Sequence, residues 1–324
     1  MTLDHLLYLA IFVVSFFLLF WSGTFIINSL ARIAKFLGWK EFVVAFFTVA
    51  IASTIPNLSV GISSALHGIP QLSFGDVLGG NVFDLTVTVA LVVLVAKGLL
   101  TESKLVQTSS LFTILVAVLP LLLILDGTLS RGDGLVLIGF FFIYIIWLFS
   151  KKERFVKIYD GPPSSIFKEF KTFFKDIARI TLGVIFLLIG AEGIVRSSLF
   201  FADSLNLSIP LIGILIVGIG NCLPEAYFAI ASARKGRTWM VLGNIMGSII
   251  TPATLVLGIV VLIRPIEIVD FSPFAIARFF LIISALFFFF FVRTGQKITK
   301  KEALFLLGTY IVFVMVELVV KHYL

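Results

Sequence analysis

The chain has 324 residues, 60% of them hydrophobic and 13% charged, whereas a soluble domain carries roughly 25% charged residues. Its net charge of +7 comes from Lys and Arg in short connections between apolar runs, which excludes a nucleic-acid-binding face. The single cysteine, Cys222, excludes an internal disulfide.

Runs of the roughly 20 apolar residues that a helix needs to cross a bilayer recur along the chain. In order they predict ten spans, near 6–28, 42–66, 74–96, 108–125, 134–150, 180–201, 209–233, 240–263, 274–292 and 303–320. All are expected to be helical, because an open strand leaves its backbone unsatisfied in lipid. The opening residues carry Asp4 and no Lys or Arg, so the first run is expected to stay as a helix and not to be cleaved as a signal peptide. All but five of the 25 Lys and Arg residues (Arg131, Arg196, Arg264, Arg278 and Lys321) follow odd-numbered spans. The positive-inside tendency then places both termini outside a prokaryotic plasma (inner) membrane. The loop 151–179 is basic and amphipathic, with Phe155, Ile158, Ile166, Phe170, Phe173 and Phe174. It is expected to lie on the cytoplasmic lipid surface as a linker between halves 1–150 and 180–324. The phenylalanines of 287–291 are expected to face lipid.

A shift of 168 residues aligns two stretches, about 42–96 and 209–263, without a gap. Pro56 falls on Pro224, Gly68 on Gly236, Gly75 on Gly243, Gly79 on Gly247 and Thr86 on Thr254. Apolar matches are cheap in a membrane protein, but Pro and Gly mark backbone events at matching depths. Each half holds five spans, an odd number, so the second half is expected upside down relative to the first. The fold class is therefore an all-α membrane protein, ten transmembrane helices as two inverted five-helix repeats. That frame is common in secondary transporters, whose sites lie at the midplane where broken helices meet.

Spans 2 and 7 carry polar interruptions, Ser53-Thr54-Ile55-Pro56-Asn57 and Asn221-Cys222-Leu223-Pro224-Glu225. Proline removes a backbone donor and frees carbonyls toward a cation. Spans 3 and 8 carry Gly75-Asp76 to Asp84 and Gly243-Asn244 to Pro252, with Ser248 between. Asp76, Gly80 and Asp84 step by four and share one helix face. An ionisable group in mid-membrane costs about 2.5 kcal/mol or more, which makes Glu225 and Asp84 functional candidates. No Lys or Arg occurs in 41–96, 197–233 or 238–263. Carboxylates among hydroxyls and carbonyls suit a hard cation such as Ca²⁺, with Na⁺ and H⁺ competing for the same oxygens. Asp76, about one turn from its helix end, is either a solvated mouth residue or a ligand, and Asn244 is its counterpart. Glu192 and Glu317 are expected in structural or lipid-interface roles, and His67 in an exposed outer loop.

At these residues the chain resembles the cation/Ca²⁺ antiporter superfamily, sodium/calcium exchanger type. The familial pattern is a Gly-Thr/Ser-Ser-x-Pro-Glu break followed by Gly-Asn/Asp-x-x-Gly-Ser-Asn, once per inverted repeat. The second repeat matches closely through Leu223-Pro224-Glu225 and Gly243-Asn244-Ile245-Met246-Gly247-Ser248. The first matches in spacing and glycines. Asn57 replaces a familial Glu, Pro252 replaces an Asn or Asp, and Asp84 supplies a carboxylate where many members have Asn. The resemblance implies cation ligands at Ser53, Thr54, Asn57, Asp84, Cys222, Glu225 and Ser248, with no side-chain oxygen from Gly80 or Pro252. It implies Ca²⁺ export against Na⁺ by alternating access, with spans 1 and 6 sliding over the rest, or the same exchange coupled to H⁺. The expected partners are inorganic cations and membrane lipid, with no resident cofactor and a monomeric chain.

Two other classes compete. Gly75-Asp76 is the dipeptide of intramembrane aspartyl proteases, which need a second membrane-embedded Asp. The nearest Tyr-Asp, Tyr159-Asp160, lies in the long loop. A non-transporting homologue would lack ion-dependent thermal stabilisation.

Overall fold

The computed structural model describes residues 3–36, 52–102, 104–150, 166–234, 238–268, 270 and 272–323. Several side chains within its helices, those of Ser53 and Pro224 among them, fall outside the description. The helices are α1 (Leu3–Phe36), α2 (Ala52–Leu66), α3 (Gln71–Ala96), α4 (Lys104–Leu123), α5 (Arg131–Ser150) and α6 (Ile166–Ser204). The chain continues through α7 (Ile209–Ile212, Gly213–Val217 and Gly218–Arg234) and α8 (Thr238–Thr251, Pro252–Val256 and Leu257–Ile263). It ends with α9 (Ser272–Arg293) and α10 (Lys300–Tyr323). Four two-residue strands lie between helices: β1 (Leu99–Leu100), β2 (Thr128–Leu129), β3 (Ile266–Glu267) and β4 (Lys297–Ile298).

Among the described residues, eight helices are long and apolar enough to cross a membrane: α1, α3, α4, α5, α6, α8, α9 and α10. The helix α7 becomes a ninth when its two arms, Ile209–Leu223 and Glu225–Arg234, bent by 40° at Pro224, count as one span. The chain is thus a multi-pass helical membrane protein. The helix α2 is the latter part of the second predicted span, whose residues 42–51 lie outside the described residues.

Two expectations need correction. The helix α6 begins at Ile166, so the latter part of the expected surface linker is continuous with the membrane helix; no Gly or Pro occurs between Pro163 and Gly183 to stop it. Residues 151–165 are outside the described residues. The phenylalanine run does not face lipid throughout: Phe288 is buried while Phe290 is exposed. Five consecutive residues exceed one 3.6-residue turn, so such a run must also cover the inward face.

The internal repeat recurs in the backbone. Asp84–Thr88 in α3 and Pro252–Val256 in α8 are both π-helical, again 168 residues apart. Inside each, a threonine hydroxyl donates to the carbonyl four residues back: Thr86 to Val82 at 2.5 Å and Thr254 to Ile250 at 2.6 Å. Such back-bonding competes with the regular ladder, and π-turns concentrate at functional sites. The helix starts repeat as well. Ser130 and Asp133 cap α5 reciprocally, with Ser130 N to Asp133 Oδ2 at 2.8 Å and Asp133 N to Ser130 Oγ at 3.2 Å. Thr299 and Glu302 do the same for α10, at 2.7 and 3.4 Å. Each strand pairs antiparallel with a strand of the other half: Leu99 opposite Ile298, and Thr128 opposite Glu267.

The helices α3 and α8 form the centre, with 83% and 78% of their spans buried, against 28% in α1 and in α6. The outer helices α1 and α6 pack on each other. A Cβ on Gly193 would meet Ser15 Oγ at 2.0 Å and one on Gly183 would meet Ile26 at 2.5 Å. Phe12, Leu19, Leu187 and Ile194 form a cluster separate from the main core. One end of the pair is held by the buried Asp176, which accepts from Arg32 Nε and Nη2 (2.9 and 2.7 Å) and from Arg179 (3.0 Å). The other end is held by Tyr8 stacked on Phe200, centroids 4.0 Å apart. Tyr8 and Phe200 are the 168-residue counterparts of Asp176 and Arg32, so one brace position is ionic and its repeat aromatic. Asp176→Asn should lower stability by about 1–2 kcal/mol, a modest figure because Arg32 is partly solvent-screened. A detergent-solubilised melting curve measures it; an unchanged midpoint would show the brace to be energetically idle.

Candidate functional site

The site grows from the contact of α3 with α7. Small residues on both helices bring the backbones together. A Cβ on Gly79 would fall 1.9 Å from Ile214 O, and one on Gly75 2.6 Å from Pro210 O. From the other side, a Cβ on Gly213 would fall 2.5 Å from Leu72 O and one on Gly218 2.8 Å from Gly80 N. This contact seals the Asp76–Gly80–Asp84 face of α3 against Asn221, Cys222 and Glu225 of α7.

Three polar levels result. At the first, Asn221 Nδ2 donates to both oxygens of Asp76, at 3.1 and 3.0 Å. At the second, the Cys222 thiol donates to Gly80 O at 3.4 Å. At the third, Asp84 accepts from Ser248 Oγ of α8 at 2.7 Å and from Thr88 Oγ1 at 2.9 Å. Ligand atoms of Asp84, Cys222 and Glu225 all lie within 4.8 Å of one another. Asn244 Nδ2 donates to the main-chain oxygen of Glu225 at 3.3 Å, bracing α7 just past its break. Thr54 and Asn57 of α2 are buried, and Asn57 Oδ1 has no hydrogen-bond partner.

The site is therefore dry and acidic. Asp76, Asp84 and Glu225 are 2%, 1% and 5% exposed, and α2, α3 and α8 carry no Lys or Arg. In α7 the sole basic residue is Arg234, at its end. Two carboxyl groups in contact without a counter-charge must share a proton or hold a cation between them. The geometry could thus hold a cation or a shared proton.

Of the expected site residues, the structure brings together Asp84, Glu225, Cys222 and Ser248, with Asn244 one contact away. Asp76 is no mouth residue: α7 covers it through the glycine contact. It lies eight residues, about 12 Å along the helix, from Asp84, and forms a separate polar level. The Ser53 side chain is outside the described residues. Thr88 and Asn81 are additions: Thr88 holds Asp84, and Asn81 is buried with an unpartnered Nδ2. Their signal was a hydroxyl one turn beyond Asp84 and an amide beside the Gly79-Gly80 pair. His67 and Glu192 form another cluster. Glu192 is held by Arg196 Nε (2.7 Å), His67 Nε2 (3.1 Å) and Ser63 Oγ (3.2 Å), which ties α6 to α2. Glu317 is buried inside α10's packing, not at the lipid interface.

Comparison with known proteins agrees with this construction. The family described as sodium/calcium exchanger protein matches residues 7–150 and 175–319. Sodium/calcium exchanger MaX1 of Methanosarcina acetivorans is 26% identical over 91% of this chain and 94% of its own. Inner membrane protein YrbG of Escherichia coli K12 is 26% identical over 95% and 96%. A solved structure of the sodium-calcium exchanger NCX_Mj, soaked with Na⁺ and Sr²⁺, superposes with a TM-score of 0.65 at 23% identity, covering 96% of this chain and 98% of that one. Fold and site together define a transporter of the cation/Ca²⁺ antiporter superfamily, not an enzyme. Within it, the chain belongs to the sodium/calcium exchanger protein family.

Proposed function

We propose that the protein exports Ca²⁺ in exchange for Na⁺ by alternating access, with both termini outside an inner membrane and one chain sufficient. The observation that carries this is the meeting of Asp84 and Glu225, one carboxyl from each half, in a buried cluster on helices without a nearby cation. Ca²⁺ takes about six to eight oxygens. Both carboxylates, Ser248, Thr54, Asn57 and freed carbonyls at the α7 break supply them. Asn244 braces α7 beside Glu225, and Asp76 holds Asn221 at a separate level one residue before Cys222. The two halves are oriented as inverted repeats, which puts the cluster on their shared axis. The helices α1 and α6, packed as one separate body and tied to α2 through Glu192, slide over the remainder to change access. The names of the relatives, sodium/calcium exchangers, support the ion pair chosen.

A second reading, H⁺ in place of Na⁺, has its own support: the close approach of the Asp84 and Glu225 carboxyls is a ready place for a proton when the metal leaves. Uptake of radioactive Ca²⁺ into proteoliposomes separates them. Uptake driven by an outward Na⁺ gradient supports the first reading, and uptake driven only by an outward H⁺ gradient replaces it with the second. No uptake under either gradient, with Ca²⁺ giving no thermal stabilisation, would overturn both.

A further inference from the structure

The cation cluster contains one feature that a Ca²⁺ site does not call for. Cys222, the sole cysteine of the chain, is 4% exposed and shares the cluster with Asp84 and Glu225. We propose that this site binds thiophilic divalent cations, Zn²⁺ or Cd²⁺, more tightly than Ca²⁺, using Cys222 Sγ with one oxygen each of Asp84 and Glu225. The proposal rests on the cation-site reading above and names a further substrate class for it.

The argument begins with what faces the sulfur. Cys222 lies against Gly80, where a Cβ would stand 3.1 Å from its Sγ. By the 168-residue shift the counterparts of Cys222 and Gly80 are Thr54 of α2 and Ser248 of α8, two hydroxyls. The α3–α7 contact therefore has no hydroxyl at position 80 and holds a sulfur against that glycine instead. The exchange removes a hard oxygen donor and adds a soft one at a single point. Gly80 and Pro252 together leave the cluster two side-chain oxygens poorer than its familial pattern, which penalises Ca²⁺ with its demand for about six to eight oxygens.

Coordination geometry points the same way. Zn²⁺ needs about four donors, with bonds of ~2.0 Å to oxygen and ~2.3 Å to sulfur. At tetrahedral angles these donors stand roughly 3.5 Å apart. The three ligand atoms already lie within 4.8 Å of one another, so a closure of about one ångström completes three of the four positions. The fourth falls to Ser248, already hydrogen-bonded to Asp84 at 2.7 Å, or to water. An open fourth position suits a cation that must leave again. Sulfur ligands select thiophilic metals by their softness.

The test uses the full-length protein in detergent, titrated with CdCl₂, ZnCl₂ and CaCl₂. Because the chain has one cysteine, a sulfur-to-metal charge-transfer absorption on adding Cd²⁺ reports Cys222 alone and needs no variant. The expected results are that absorption, and displacement of bound radioactive Ca²⁺ by Cd²⁺ at concentrations about tenfold or more below those of unlabelled Ca²⁺. Cys222→Ser should reduce the Cd²⁺-over-Ca²⁺ preference by about tenfold or more. Absence of the absorption in the wild type, or an unchanged preference in Cys222→Ser, overturns the proposal. If Ca²⁺ binds without any preference for Cd²⁺, this proposal fails and the Ca²⁺ reading stands. If Cd²⁺ gives the absorption and Ca²⁺ never binds, the Ca²⁺ reading fails and this one stands.

Discussion

Asp84→Asn and Glu225→Gln should each reduce cation uptake by roughly a hundredfold or more while leaving the folded protein at least as heat-stable as the wild type. The first half of that expectation follows from charge. Affinity of an oxygen site for a divalent cation is tuned over several decades by how many ligand charges it holds, and each substitution removes one of the two carboxyls in contact. The second half follows from burial. A carboxylate at 1% or 5% exposure pays a desolvation cost that a neutral amide of the same shape does not. Ser248 and Thr88 can still donate to the carbonyl oxygen of an Asn at position 84. Proteoliposome uptake and a melting curve on the same preparation test both halves together. Transport retained by Asp84→Asn would remove that residue from the cation site. Transport lost together with the fold would mean that the carboxyl serves structure.

Gly79→Val should abolish folded protein. Its Cβ would stand 1.9 Å from Ile214 O and 2.7 Å from Ile214 Cα. The obstruction is backbone, so no rotamer change relieves it, and α3 and α7 must part. Overpacking a tight contact costs about 3 kcal/mol or more when the neighbour cannot move, and here Gly75, Gly213 and Gly218 are drawn into the same separation. The three polar levels of the site would open with it. Gly139→Ala is the control, since nothing lies within 4 Å of its Cβ position. Size-exclusion chromatography and fluorescence melting would show loss of the monodisperse species for Gly79→Val and no change for Gly139→Ala. A well-folded Gly79→Val protein would mean that the helix contact is looser than described.

The eight long apolar helices among the described residues were legible because lipid demands unbroken apolar runs of a set length, so composition alone locates them. The carboxyl pair was legible because a charge on a membrane helix without a nearby basic residue has few structural explanations. Proline and glycine made the repeat visible at a shift of 168, since Pro56, Pro224 and the glycine pairs mark backbone geometry directly. The rest depended on three-dimensional neighbours. Asp76 was placed by its distance from a helix end, but its burial is set by α7, which the glycines admit from elsewhere in the chain. Phe288 and Phe290 are indistinguishable in sequence and separate only by helical phase. The capping pairs Ser130–Asp133 and Thr299–Glu302 repeat at a shift of 169, one residue off the register of the central helices, so a gap-free comparison passes over them. The reach of α6 back to Ile166 was hidden because a basic amphipathic segment reads equally as a surface helix or as the solvated start of a membrane helix.

The exchange of strands between halves bears on biosynthesis. Leu99–Leu100 finds its partner at Lys297–Ile298, and Thr128–Leu129 finds its own at Ile266–Glu267. A ribosome that has released the first 150 residues into the bilayer has therefore produced two strands whose partners are not yet translated. The edge at Thr128–Leu129 stays open until α8 has been made, and the edge at Leu99–Leu100 until α9 has been made. The second half thus supplies the missing edges one at a time, first at Ile266–Glu267 and then, one helix later, at Lys297–Ile298.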